Sequence, residues 1–243
     1  SCHDCEKIIQ RYEMTVARRM FGHFRIRYNV QTRNKNQRPS HIKIGTLLPN
    51  GTKGTAKVSV HEHPTMLFVY KFSEATFLQG LSPVIEKNTW IPIVISSKAE
   101  LDKFIEKYHW DKHISLLAVP VEFARMLAKL AYSYAVAEIG IGSFQPLQMT
   151  LDTILCRTNN VCHVVGGDLE LPPPDPAGKH ILTINVQMKY PNPLLIIGIR
   201  LFPAFETPQY SVVVGYFDFQ NPQHVKAFAE KMRNAKEIIK GRE

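Results

Sequence analysis

Two cysteines in the opening residues, Ser1-Cys2-His3-Asp4-Cys5-Glu6, are the residues whose type and spacing point most directly to chemistry. Thiolates at C-x-x-C spacing reach a single ion, and a structural zinc site takes four such ligands, so Cys2 and Cys5 are expected to form half of a tetrahedral Zn2+ site. Their place at the start of a helical pattern favours the thiolate form through the helix dipole. A redox pair shares the spacing, but it usually follows a strand in a βαβ setting; two inert cysteines are the third reading. Cys156 and Cys162 lie far downstream and six residues apart, in an apolar run around a polar turn, so they do not supply the other half of the site.

Other constellations are weaker. His61 and His63 flank Glu62 at strand spacing, which would turn both imidazoles to one face as a two-His metal edge; surface histidines before the turn at Pro64 are the plainer reading. His109 and His113 have the i, i+4 spacing of helical zinc ligands, but Trp110 stands where a zinc protease needs its Glu base. Cys162-His163 near Asp168 could suggest a thiol nucleophile, yet nothing adjacent orients a base, and a buried cysteine is expected. Gly140-Ile141-Gly142-Ser143 follows a helix rather than a strand, the wrong setting for a phosphate loop, and Gly166-Gly167-Asp168 reads as a turn.

The surroundings of the cysteines are basic. Of the chain's net charge of +9, +7 falls in residues 1–43, where ten Lys and Arg face three acids. Arginine binds phosphate bidentately and counterion release drives such association, so this end is expected to meet nucleic acid, with DNA the first choice. Lys7, Arg11, Arg18, Arg19 and Arg25 are the candidate contacts. An anionic partner or membrane surface, or a solvated basic helix without partner, are the alternatives.

These residues must be held by a helix. Apolar residues recur at Ile9, Tyr12, Val16 and Met20, one buried stripe, while Arg11, Arg18 and Arg25 recur every seven residues on another flank. Residues 32–40 contain no apolar side chain and include Pro39, a loop and a candidate boundary. The expected organisation is a remnant zinc-ribbon with basic helix at 1–40, then a mixed domain at 41–243, an α+β fold with a central buried helix and an antiparallel sheet.

Within that second part, Ile42–Leu48, Ala56–Val60 and Met66–Tyr70 predict a short antiparallel meander. Ser97 with Glu100 forms a capping box ahead of an amphipathic helix. Pro120 opens and Gly140 closes a helix that is apolar round most of its circumference. The run Leu171-Pro172-Pro173-Pro174-Asp175-Pro176 is an extended connector. Three Ile/Val-rich runs, His180–Met188, Leu194–Phe202 and Tyr210–Phe219, predict consecutive strands of one sheet, and Asn221-Pro222 begins a last amphipathic helix.

Composition supports a folded protein: 243 residues, 44% apolar and 21% charged. Four cysteines and no visible export signal point to a reducing cytoplasm, and Glu122, Arg125, Lys129 and Glu138 argue against a membrane span in the longest apolar helix. The absence of an initiator Met leads us to expect that Ser1 is a cut point in a longer reading frame.

Cys2-His-Asp-Cys5-Glu6-Lys-Ile-Ile-Gln-Arg-Tyr-Glu13, with Arg18-Arg19-Met20, Arg25 and Thr32-Arg33, resembles the closing part of the zinc-ribbon type of bacterial HNH endonuclease domain. Gly140, Val165-Gly166-Gly167, Arg200-Leu201-Phe202 and Pro208–Gly215 are similar to the uncharacterised region that follows such domains in some of these proteins. The resemblance implies a metal-dependent phosphodiester hydrolase whose first C-x-x-C and catalytic His segment precede Ser1. No catalytic residue then lies in this chain, and the fragment alone is expected to be inactive. Many members place a His after the second Cys to help bind the catalytic metal; here Glu6 stands there, able to ligate Mg2+ or Mn2+, or to serve merely as a first-turn acid. The alternative function is a non-catalytic nucleic-acid- or ligand-binding module stapled by zinc.

Overall fold

The structure, a computed structural model, describes residues 3–28, 40–48, 50–83, 90–110, 119–168, 170–175, 178–188 and 192–240. The chain is mixed α+β with antiparallel sheets, and its residues fall into two compact units. One comprises Ser1–Glu13, Tyr70–Ile91 and Pro120–Glu243; the other comprises Met14–Val69 and Pro92–Val119. The elements α1 (His3–Arg19), β3 (Met66–Phe72) and β4 (Trp90–Ser96) carry the chain between them.

The larger unit is built on an antiparallel sheet in the order β5 (Gln145–Pro146), β9 (Gln209–Tyr216), β8 (Leu194–Arg200), β7 (Ile181–Gln187), with β6 (Val165–Gly167) also pairing β9. The three consecutive strands expected from the Ile/Val runs are β7, β8 and β9. Every residue of β8 is buried, as a central strand of Leu and Ile requires, whereas β7 alternates between half-buried and exposed as an edge does.

Helix α4 (Pro120–Ile139) packs on β8 and β9. Pro120 supplies a preset first turn, and Gly140 at φ 101° ends the helix in a conformation that costs a residue without Cβ nothing. Its buried face is Phe123, Ala124, Leu127, Ala128, Ala131 and Ala135. Small alanines let the helix lie close, and Phe123 fills the space against Phe72 and Tyr210 at ring-centroid separations of 6.2 and 5.4 Å. The buried Tyr210 hydroxyl donates to Tyr70 O at 2.8 Å, satisfying a polar atom that water cannot reach. Arg200, also buried, donates to Pro172 O and Pro173 O at 3.0 and 2.6 Å, which ties the extended connector to the sheet.

The strand β6 corrects the turn expected at Gly166-Gly167. A Cβ on Gly166 would lie 2.2 Å from Ala75 N, so glycine here serves backbone-to-backbone approach rather than chain reversal.

In the smaller unit, β1 (His41–Leu47) and β2 (Lys53–Ser59) form an antiparallel hairpin with Ile44 opposite Ala56. Asn50 Oδ1 accepts from Thr52 N at 3.0 Å, and Gly51 takes φ 79°, closing the turn. The expected third strand of a meander, β3, instead pairs with β4. Ser97 Oγ accepts from Glu100 N at 3.5 Å at the start of α3 (Lys98–Tyr108), the Ser97 half of the expected capping box, while Glu100 Oε2 accepts from Thr65 N at 3.2 Å. Ile44, Val58 and Phe104 form one buried hydrophobic cluster of this unit. The short α2 (Gly22–Arg27) follows α1, and the Phe24 and Tyr28 rings meet tilted at 35° with centroids 4.5 Å apart.

Beyond these, α5 (Gln148–Ile154) follows β5, and α6 (Pro222–Lys240) closes the described chain. No helix among the described residues is long and apolar enough to cross a membrane.

Candidate nucleic-acid interface

The helix α1 is a regular seventeen-residue element whose first turn holds Asp4 and Glu6 and whose last turn holds Arg18 and Arg19, both matched to the dipole. Tyr12 and Val16 are 3% and 1% exposed and define its inward side. On a helix of 3.6 residues per turn, Lys7, Arg11 and Arg18 fall within about 40° of one another on the opposite side. All three are exposed, and at 1.5 Å per residue they span about 16 Å of helix. Arg19 is exposed at the end of the helix, about 100° round the axis from Arg18. Arg25 belongs to α2, is only half-exposed, and its backbone N–H donates to Phe21 O at 2.8 Å.

Of the expected metal ligands, Cys2 lies outside the described residues. Cys5 is half-buried and shares the helix side of Tyr12 and Val16. Glu6 is exposed about 100° further round the axis, so the two side chains leave the helix in different directions. Among the described residues no three His, Cys, Asp or Glu side chains gather where one ion could be held.

The histidine and cysteine pairs resolve into packing. Residues 61–63 form a turn, not a strand, so His61 and His63 do not share a sheet face. His61 is exposed; His63 is buried, its ring 5.1 Å from Phe104, and its Nδ1 donates to Pro64 O at 2.9 Å. Burial pushes the His63 pKa down, which keeps the ring neutral. His109 ends α3 at φ 47°, so helical spacing stops before His113, which lies outside the described residues. Cys162 and His163 sit in a buried 3-10 turn: His163 Nδ1 pairs with Thr76 Oγ1 at 2.8 Å, and burial raises the Cys162 thiol to about 12, an inert thiol rather than a nucleophile.

Sequence reasoning did not find a cluster in the smaller unit. Glu62 Oε2 accepts from Lys107 Nζ at 2.9 Å and from the Tyr108 hydroxyl, beside a cavity of about 260 Å3 that Arg27, Glu100 and Lys103 also line. The Tyr108 hydroxyl and then the Lys107 ammonium hold the Glu62 carboxyl below the usual carboxylate range, and Glu62 in turn raises Lys107. The i, i+4 spacing of Lys103 and Lys107 on α3 was the available signal, but it does not reveal a partner 45 residues away.

Fold and surface together define an α+β protein with a basic, solvent-facing helix near its first residues. The chain matches no protein-family model, no curated protein and no solved structure.

Proposed function

We propose that this chain is the closing part of a metal-dependent HNH-type endonuclease, acting in the cytoplasm, in which α1 docks on the phosphate backbone of nucleic acid, DNA in the first instance. The observation that carries the docking is the exposed line of Lys7, Arg11 and Arg18 on one helix. Three cations over about 16 Å form a row that can neutralise part of a target carrying one negative charge per ~1.7 Å of duplex axis. Arg19 and Arg25 add positive charge beside that line.

The chemistry follows from the resemblance of Cys2 to Glu13 to the HNH zinc-ribbon. In this reading Cys2 and Cys5 complete a structural Zn2+ remnant with a second C-x-x-C supplied upstream, which fixes the entry angle of α1. In the same reading an upstream His segment would activate water, and Glu6 would help to hold Mg2+ or Mn2+.

Expression with the upstream coding sequence in frame tests the proposal. The expected result is plasmid cleavage that requires Mg2+ or Mn2+ and stops with EDTA, with none from residues 1–243 alone. An upstream stop codon, or salt-sensitive DNA binding without cleavage, would instead establish the non-catalytic binding module.

A further inference from the structure

Three helical segments of the larger unit turn one stripe each toward a common space. Helix α1 contributes Glu6, Ile9, Gln10 and Glu13, α4 contributes Lys129, Tyr132 and Ser133, and α5 with its C-cap contributes Leu151, Ile154 and Leu155. Each set has i, i+3, i+4 spacing, the period that puts residues on one helix face. They enclose an open cavity of about 680 Å3. That is within the range of about 300–1,000 Å3 that holds small organic ligands.

The chemistry of the lining narrows the occupant. Ile9, Leu151, Ile154 and Leu155 give the cavity an apolar wall that water cannot satisfy. Its charged groups are two carboxylates and one ammonium, a net charge of −1. Lys129 Nζ meets Glu13 Oε1 at 2.9 Å, so these two largely neutralise each other. Glu6 has no ion-pair partner among the described residues and remains as the unbalanced charge. A carboxylate or phosphate ligand would meet that negative charge, while a neutral hydrocarbon would leave it unused.

We propose that this cavity binds a small organic ammonium ion with an apolar body, the cation held by Glu6 and the body lying on Ile9, Leu151 and Leu155. The proposal is independent of the phosphate-binding role of Lys7, Arg11 and Arg18, which leave α1 on a different side. It gives Glu6 a role that requires no metal and stands as the alternative to the divalent-metal role above.

The test is titration calorimetry of the protein with three probes of matched shape: 2-phenylethylammonium, 2-phenylethanol and 3-phenylpropionate. The ammonium should bind most tightly and the carboxylate least. Glu6→Gln should weaken the ammonium about tenfold. Lys129→Met, which releases Glu13 from its partner, should strengthen it several-fold, an effect opposite to that of general damage to the helix packing. Ser133→Trp, at an exposed lining position, should abolish binding by filling the cavity. Equal binding of ammonium and carboxylate to the unmutated protein would overturn the proposal, as would weaker ammonium binding by Lys129→Met or unchanged binding by Ser133→Trp. The probe series on the unmutated protein decides the question even if a variant misfolds.

Discussion

Replacing Gly166 by alanine sets a single methyl group against backbone that cannot yield by side-chain rotation. An ideal Cβ at this position would stand 2.2 Å from Ala75 N, 2.8 Å from Ser73 O and 2.9 Å from Glu74 C, all well inside van der Waals contact. Either β6 or the 73–75 segment must move. Overpacking of this kind costs about 1–3 kcal/mol. The displacement also threatens the bond from Gly167 N–H to Ser73 O, 3.2 Å long, worth about 1 kcal/mol. A total near 3 kcal/mol corresponds to a fall in Tm of about 6–12 °C, since a domain of this size shifts about 2–4 °C per kcal/mol. The control is Gly22→Ala in α2, where a Cβ meets nothing within 4 Å and helix propensity favours alanine by up to about 1 kcal/mol. Differential scanning calorimetry with urea titration reads both. A Gly166→Ala protein melting within about 2 °C of the parent, or a Gly22→Ala protein destabilised equally, would refute the close approach of β6 to residues 73–75.

Further predictions concern the thiols and histidines. In native protein at pH 8, mass spectrometry after brief iodoacetamide treatment should find Cys156 modified and Cys162 untouched, because Cys156 is exposed whereas Cys162 is buried and its thiol is raised to about 12; rapid labelling of Cys162 would contradict its burial. Burial lowers the pKa of both His63 and His163 from 6.5, so below that value the unfolded chain binds protons that the native state refuses. Stability should therefore fall as pH drops from about 7 toward the lowered native values, with each histidine contributing a slope of at most about 1.4 kcal/mol per pH unit. Urea titrations of His63→Phe should show a shallower pH dependence in that window, and an unchanged slope would remove His63 from the account.

The elements legible in the sequence were those fixed by local chemistry. Pro120 and Gly140 bracket α4, Ser97 caps α3, and the Pro-separated Ile/Val runs became β7, β8 and β9. What escaped depends on contacts between residues distant in sequence. Two successive glycines carry no strand signal, and β6 exists because β9 and the 73–75 backbone lie on either side of it. Alternation at His61 and His63 was the same whether the residues formed a strand or the observed turn, and the burial of His63 against Phe104 decided its role. The meander failed at β3 because the sequence of a hydrophobic strand does not name its partner. The basic line of α1 was legible at Arg11 and Arg18 because it needs only helical spacing, but its expected continuation to Arg25 fails, since α1 ends at Arg19 and Arg25 lies on α2. The cavity beside Glu6 was not legible, since its α1 stripe lies more than a hundred residues before those of α4 and α5.

Phosphate binding by the exposed line on α1 is read in the salt dependence of DNA binding. Fluorescence anisotropy with a 20-base-pair duplex from 50 to 200 mM salt should give a log K against log salt slope that becomes shallower by about 2.7 when Lys7, Arg11 and Arg18 are all changed to Gln, as expected for three lost phosphate contacts. At 100 mM salt the same loss amounts to about 500-fold in affinity, while Arg11→Lys with Arg18→Lys should keep most of the slope. A triple variant with the slope and affinity of the parent would contradict the account.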